Sequence, residues 1–179
     1  MSKSKGNVVD PEGLIQKYGA DTTRLFLLFA SPPELDLEWS DQGVAGCSRF
    51  LHRLWALVQD LAPKLQGVEA YRGSGRDLGP ELQDLRHKVH RTIKKVTDDI
   101  EDSFHFNTAI AAVMELVNAC YGLLGSYSGA GEQVALRVFK EALEGLLLLV
   151  NPMVPHIAEE LWQALGHTTA LQACCWPEA

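Results

Sequence analysis

Between Glu81 and Ser103, Leu82, Leu85, Val89, Ile93, Val96 and Ile100 recur at three- and four-residue steps. A helix with that spacing carries one unbroken apolar stripe, which has to be buried against a partner. Three more stripes follow. Ile110, Val113, Met114, Val117, Cys120, Tyr121 and Leu124 form the second, with Asn107 placed to cap its helix. Val134, Val138, Leu143, Leu146, Leu147 and Val150 form the third, apolar over a wide arc, as a central helix requires. Asn151-Pro152 breaks it, and Pro155 to Leu165 carries the fourth. The stretch from Gly125 to Gly131 reads as a loop. Long helices joined by short loops bury such stripes as an antiparallel bundle. The fold class is therefore mainly α, with residues 80–179 as the bundle.

The first 65 residues read differently, as a short mixed α/β segment. Met1 to Asn7 is small, polar and basic, the composition of a loop. Asp10-Pro11 suits a helix start, and Tyr18-Gly19 closes that helix. A second helix opens near Asp21 and ends at Ala30, before Ser31-Pro32-Pro33. Leu35-Asp36-Leu37-Glu38-Trp39 alternates apolar and polar residues and predicts a strand. Ser40 or Asp41 caps a third helix running to about Leu61 or Lys64. Residues 66–79 hold Gly67, Gly73, Gly75 and Gly79 and end at Pro80, which marks a glycine-rich linker.

Several function classes are excluded. The longest apolar runs, Leu25 to Ala30 and Ala109 to Met114, fall well short of the roughly 20 residues that span a bilayer, and no signal peptide is visible. This predicts a cytoplasmic chain with no membrane partner. Cys47, Cys120, Cys174 and Cys175 show no metal-ligand spacing, so they read as reduced thiols, mostly core filler, and no metal site is expected. The formal charge of −7 argues against a general nucleic-acid coat protein. It is unevenly spread. Residues 61–100 hold 8 basic and 6 acidic residues, whereas residues 101–179 hold 2 basic and 9 acidic. One local basic surface is therefore possible.

That surface lies on the helix from Glu81. Arg86, His87, Lys88, His90, Arg91, Lys94 and Lys95 stand off the apolar stripe, and Lys88, Arg91 and Lys95 share one face. Such a face either tracks a phosphate backbone or is an ordinary solvated flank balanced by Asp84, Asp98 and Asp99. The loop from Met1 has two readings too: Lys3 and Lys5 among Ser2, Ser4 and Gly6 suit a mobile phosphate clamp or a solvated terminus. Trp39, Trp55 and Trp162 read as core aromatics in preference to base-stacking platforms. His156 reads as packing at a helix start. Glu159 and Glu160 point apart on a helix, and Asp21 with Arg24 reads as an ion pair within one helix.

The joint order of the motifs narrows the choice. Met1-Ser2-Lys3-Ser4, continued by Lys5-Gly6-Asn7-Val8-Val9-Asp10-Pro11, resembles the Lys-Met-Ser-Lys-Ser signature of class I aminoacyl-tRNA synthetases without its leading lysine. Tyr18-Gly19-Ala20-Asp21 with Arg24 resembles the helix after that signature in the enzymes for large aliphatic amino acids. Phe29-Ala30-Ser31-Pro32-Pro33, Leu37-Glu38-Trp39-Ser40, Arg49-Phe50-Leu51 and Arg53-Leu54-Trp55 are similar to the leucyl-tRNA synthetases. So are Phe106-Asn107-Thr108-Ala109-Ile110, the run Pro155 to Trp162, and Trp176-Pro177.

The resemblance implies a piece of a longer ligase that activates leucine with ATP and Mg and transfers it to tRNA(Leu). It covers a signature loop and stem-contact-like segment (1–65), the linker (66–79) and a bundle of the anticodon-binding type (80–179). By the same resemblance Met1, Ser2, Lys3 and Ser4 form the ATP-binding loop, with Lys3 as the catalytic phosphate contact. Arg86, Lys88, Arg91, Lys94 and Lys95 are then the candidate tRNA contacts. The nucleotide-binding fold, editing domain and C-terminal extension have no counterpart in these 179 residues, so the chain alone is expected to be inactive and to bind no cofactor. A rival expectation is a stand-alone, non-catalytic tRNA-binding or regulatory module; another is a helical interaction protein with no RNA role.

Overall fold

The computed structural model describes residues 11–32, 34–37 and 39–179. Those residues form seven helices and one 3-10 turn: α1 (Pro11–Tyr18), α2 (Ala20–Ala30), α3 (Asp41–Leu65), α4 (Pro80–Ser103), α5 (Phe106–Leu123), α6 (Ala130–Val150), α7 (Pro155–Ala164) and the turn Leu171–Ala173. The mainly α expectation is met. Among the described residues there is no strand.

The segment read as a strand is corrected. Leu35–Leu37 and Trp39 carry no ladder, and Glu38 lies outside the described residues. Local contacts take the place of strand pairing. The Ser31 hydroxyl lies 3.4 Å from the Leu35 carbonyl and 3.3 Å from that of Asp36. Trp39 turns inward to meet the Phe26 ring edge-on at 5.0 Å, and its Nε1 donates to Asp41 at 3.1 Å. Leu35 is left 66% exposed. The alternation belongs to a loop whose one anchoring ring is Trp39.

Helix starts follow local chemistry. Ser40 caps α3, its hydroxyl accepting the Gly43 amide at 3.1 Å. Gly43 lets α3 approach α2 closely, because a Cβ there would come within 2.8 Å of the Phe26 ring. Asn107 does not cap α5. Phe104 adopts a left-handed backbone (φ 52°), which turns the chain early and makes His105 the cap residue. Asn107 then falls inside the first turn, and its Oδ1 is buried with no partner among the described residues.

The glycine-rich stretch after α3 is packed onto the bundle. Tyr71, Ala70 and Leu78 are buried, and the Tyr71 amide donates to Arg137 on α6 at 2.9 Å. The Tyr71 hydroxyl donates to Asp77 and accepts the Gly75 amide at 3.0 Å. The guanidinium groups of Arg86 and Arg137 stand 5.2 and 5.8 Å from its ring centroid. Gly73 is required here, since a Cβ would collide with the Tyr71 hydroxyl.

One continuous core runs from Leu25 to Leu171. α4 packs on α5 and α6, while α3 lies against α2, α6 and α7. α6 supplies the centre: Val138, Leu143, Leu146, Leu147 and Leu149 have no exposed surface. Each such side chain contributes roughly 1.5–3 kcal/mol of burial free energy. α5 is long and apolar enough to cross a membrane by length and composition. In this fold Ile110, Val113, Leu116, Val117 and Cys120 face the core, and Glu115, Asn118 and Tyr121 reach polar partners on α4 and α3.

Candidate nucleic-acid interface

The apolar stripe of α4 fixes which of its side chains stay outside. With Leu82, Leu85, Val89, Ile93 and Val96 turned into the core, Lys88, Arg91, Lys94 and Lys95 are left along one flank. That flank and α5 enclose a groove of about 550 Å³, whose opposite wall is Thr108, Ala111, Ala112 and Glu115. Four of the five candidate contacts therefore converge. Arg86 stands apart: its Nε donates to Glu141 on α6 at 3.1 Å, and its guanidinium faces Tyr71. His90 also turns toward Glu141, at 3.3 Å.

The groove is basic but internally compensated. Lys88 pairs with Glu115 across the helix interface. Lys94 pairs with Asp98 at 3.0 Å and Lys95 with Asp99, each within α4. Asp99 also accepts the Thr108 hydroxyl at 2.7 Å, tying α4 to the start of α5. The Lys88 hydrogen bond and charge, with Arg91 beyond, hold the Glu115 carboxyl below the usual carboxylate range. Arg91 is exposed and the one groove cation without an ion pair among the described residues. The Lys88–Glu115 and Lys94–Asp98 pairs are exposed and worth about 0–1 kcal/mol each, so a phosphate can exchange with those carboxylates at small cost, whereas Asp99 is largely enclosed. The groove's α5 wall was missed from sequence, because Glu115 is 27 residues from Lys88.

Met1, Ser2, Lys3 and Ser4 lie outside the described residues. Among the described residues no group of three or more His, Cys, Asp or Glu side chains converges as a metal site.

Two readings of single residues are corrected. Asp21 and Arg24 do not pair with each other; both reach the corner between α6 and α7. Asp21 accepts the Ile157 amide at 2.7 Å and contacts His156 Nδ1 at 2.7 Å, while Arg24 donates to the carbonyls of Met153 and Pro152 at 3.1 and 3.0 Å. That corner offers bare amides and carbonyls, and these outcompete a solvated pairing within one helix. Trp55 is not core. It is 40% exposed beside a second cleft of about 550 Å³ between α3, α7 and the α1–α2 corner. Trp162, in contrast, is buried, stacks on His167 at 3.8 Å and donates to Thr169. Glu159 accepts the Leu171 amide at 2.8 Å, a structural role.

The bundle that carries this groove has counterparts among known proteins. Residues 83–179 match the family model described as the anticodon-binding domain of tRNA ligase. The chain belongs to that family. The anticodon-binding domain holds α4 to α7 and therefore the whole basic groove. Residues 1–40, ahead of it, match the model for class I tRNA synthetases of the I, L, M and V group.

Relatives agree along almost the full length. A leucine–tRNA ligase of Syntrophobacter fumaroxidans is 59% identical over 178 residues, covering 99% of this chain and 21% of the relative. One of Geobacter sp. strain M21 is 58% identical over 177 residues, with 99% and 21% covered. In three dimensions the chain is similar to part of the Agrobacterium radiobacter K84 agnB2 LeuRS-tRNA-LeuAMS ternary complex. The TM-score there is 0.87 and the identity 34%, over 99% of this chain and 22% of that one. The chain thus spans about a fifth of the length of the relatives it matches.

Proposed function

We propose that this chain is part of a leucine–tRNA ligase and that its anticodon-binding domain holds the backbone of tRNA(Leu) in the α4–α5 groove. The observation that carries the reading is the convergence of Lys88, Arg91, Lys94 and Lys95 on one groove within a chain 59% identical to such a ligase. Mobile ammonium groups and one unpaired guanidinium suit phosphate contact, which positions RNA without reading its bases. Arg86, locked on Glu141, serves the fold and not the RNA. In this division residues 1–65 are the signature loop and stem-contact-like segment, 66–79 the glycine-rich connection and 80–179 the tRNA-facing bundle. The ligase works in the cytoplasm.

The reaction is attack of the leucine carboxylate on the α-phosphate of ATP, which releases pyrophosphate, followed by transfer of leucine to the tRNA. ATP enters with Mg on its phosphates. Negative charge builds on the departing oxygens, and Lys3, in the loop with Met1, Ser2 and Ser4, stabilises it there. Lys3→Ala in the full-length ligase is expected to slow leucine-dependent ATP–pyrophosphate exchange by about 10²–10³-fold, with leucine affinity little changed. Equal losses in rate and in leucine affinity would remove Lys3 from this role. This 179-residue chain alone should show no exchange.

A further inference from the structure

The loop between α3 and α4 carries a second basic surface, outside the α4–α5 groove. A pocket of about 140 Å³ opens there, lined by Ser74, Gly75 and Arg76 of the loop and by Gln83, Arg86 and His87 of α4. It is far smaller than the roughly 300–1,000 Å³ of a small-molecule site, so it admits a small ion or a single charged group. Among the described residues no carboxylate lines it. Asp77, next in the chain, is engaged by the Tyr71 hydroxyl, and Glu141 by Arg86 and His90. In the α4–α5 groove, by contrast, Asp98 and Glu115 stand among the cations.

The loop is fixed before any ligand arrives. The Gly75 amide donates to the Tyr71 hydroxyl at 3.0 Å, and the Gly75 carbonyl accepts the Leu78 amide at 3.1 Å. Gln83 Nε2 donates to the Leu78 carbonyl at 2.8 Å. Gly75 itself takes a left-handed backbone (φ 81°), which a side chain would strain. Arg86, tied through Nε to both Glu141 oxygens at 3.2 and 3.1 Å, forms a fixed wall. The side chains of Ser74, Arg76 and His87 are exposed, with no hydrogen-bond or ion-pair partner among the described residues. They supply a hydroxyl, a guanidinium and, in any protonation state of the ring, at least one imidazole N–H. Donors of these kinds on a rigid loop suit an oxyanion, and little ordering is left to oppose its binding.

The pocket also continues the groove. His87 lies one turn before Arg91, about 6 Å along α4, and Arg91 is the groove cation without an ion pair. Two cations without a carboxylate partner thus meet at His87: Arg76 shares its pocket, and Arg91 stands one turn further on. We propose that this pocket binds a phosphate group, and that on the bound RNA it takes a backbone phosphate beyond those in the α4–α5 groove. Arg76 neutralises the charge, and Ser74 and His87 orient the oxygens. The inference rests on the reading of the chain as RNA-facing.

The test is tRNA(Leu) binding by the 179-residue chain, measured across a salt series. Arg76→Gln should lower the slope of log affinity against log salt by about 0.7–0.9, and by about 1.4–1.8 when combined with Arg91→Gln. Ser74→Ala should weaken binding about threefold or more with the slope unchanged, since a hydroxyl displaces no counterion. Arg72→Gln removes an exposed loop arginine that does not line the pocket, and it should keep the parent slope. Amide NMR signals of Ser74 to Arg76 should shift as tRNA is added. Arg76→Gln with the parent slope, while Arg91→Gln lowers it, would overturn the pocket and keep the groove. Equal falls for Arg72→Gln and Arg76→Gln would reduce the effect to diffuse loop charge and overturn the pocket as well. A parent slope kept by both Arg76→Gln and Arg91→Gln would remove the RNA from this whole face. Signals of Ser74 to Arg76 that shift with inorganic phosphate but not with tRNA would assign the pocket to a free anion and overturn the RNA source.

Discussion

Asp21 on α2 accepts the amide of Ile157, 136 residues further along the chain, at 2.7 Å. The bond satisfies one of the bare N–H groups at the start of α7, whose own cap residue, Val154, has no side chain able to do so. Arg24, one turn on, donates to two carbonyls of the preceding corner. Helix α2 is thus clamped to the far end of the bundle by both its charged side chains.

Removing that clamp should cost stability without touching the groove. Asp21→Ala is expected to lower the unfolding free energy by about 1–2 kcal/mol, the range for lost helix caps, as read from urea denaturation. Arg24→Ala should act on the same corner, so the double variant should lose less than the sum of the two. Strict additivity would show that the two side chains work independently.

The cysteines should separate by burial. Burial alone pushes the Cys120 thiol up to about 12 and the Cys47 thiol to about 11, whereas Cys175 is exposed. Since the thiolate is the reacting form, a thiol reagent at pH 8 should label Cys175 in the native chain and reach Cys47 and Cys120 only on unfolding. Rapid native labelling of Cys120 would mean that the bundle opens there.

The loop between α3 and α4 should make stability acid-sensitive. The hydrogen bond from Tyr71 holds the Asp77 carboxyl below its ordinary value. A lowered folded pKa gives stability that is present above the unfolded value, near pH 4, and lost as pH falls through the folded one. Tyr71→Phe should flatten that acid limb in urea unfolding followed from pH 6 to pH 2. An unchanged limb would place the sensitivity elsewhere.

Much of the fold was legible in the sequence, since stripes and caps are local. Ser40 caps α3, Pro80 opens α4, and the stripe from Leu82 to Val96 is buried as its spacing requires. What failed depended on distant partners. Leu35, Leu37 and Trp39 alternate like a strand, yet Trp39 packs on the Phe26 ring while the Leu35 side chain stays exposed, and no ladder forms among the described residues. Asn107 looked like a cap until the left-handed turn at Phe104 moved the helix start forward. Trp55 lies four residues after Leu51 and three before Val58, on the stripe by spacing, but at the edge where α3 leaves its neighbours. The basic flank was legible residue by residue. Its compensation was only partly so: Asp98 and Asp99 stand four residues from their lysines, and Glu115 comes from another helix.

The most direct test of the central claim is the salt dependence of tRNA binding by this chain. Plotted as log affinity against log salt, the slope should fall by about 0.7–0.9 for Arg91→Gln, the loss of one phosphate contact. It should fall by about 3 when Lys88, Lys94 and Lys95 are also changed to Gln, because each lysine exchanges its carboxylate partner for a phosphate on binding. A fourfold variant that keeps the full slope of the parent would contradict the account and move the RNA away from the α4–α5 groove.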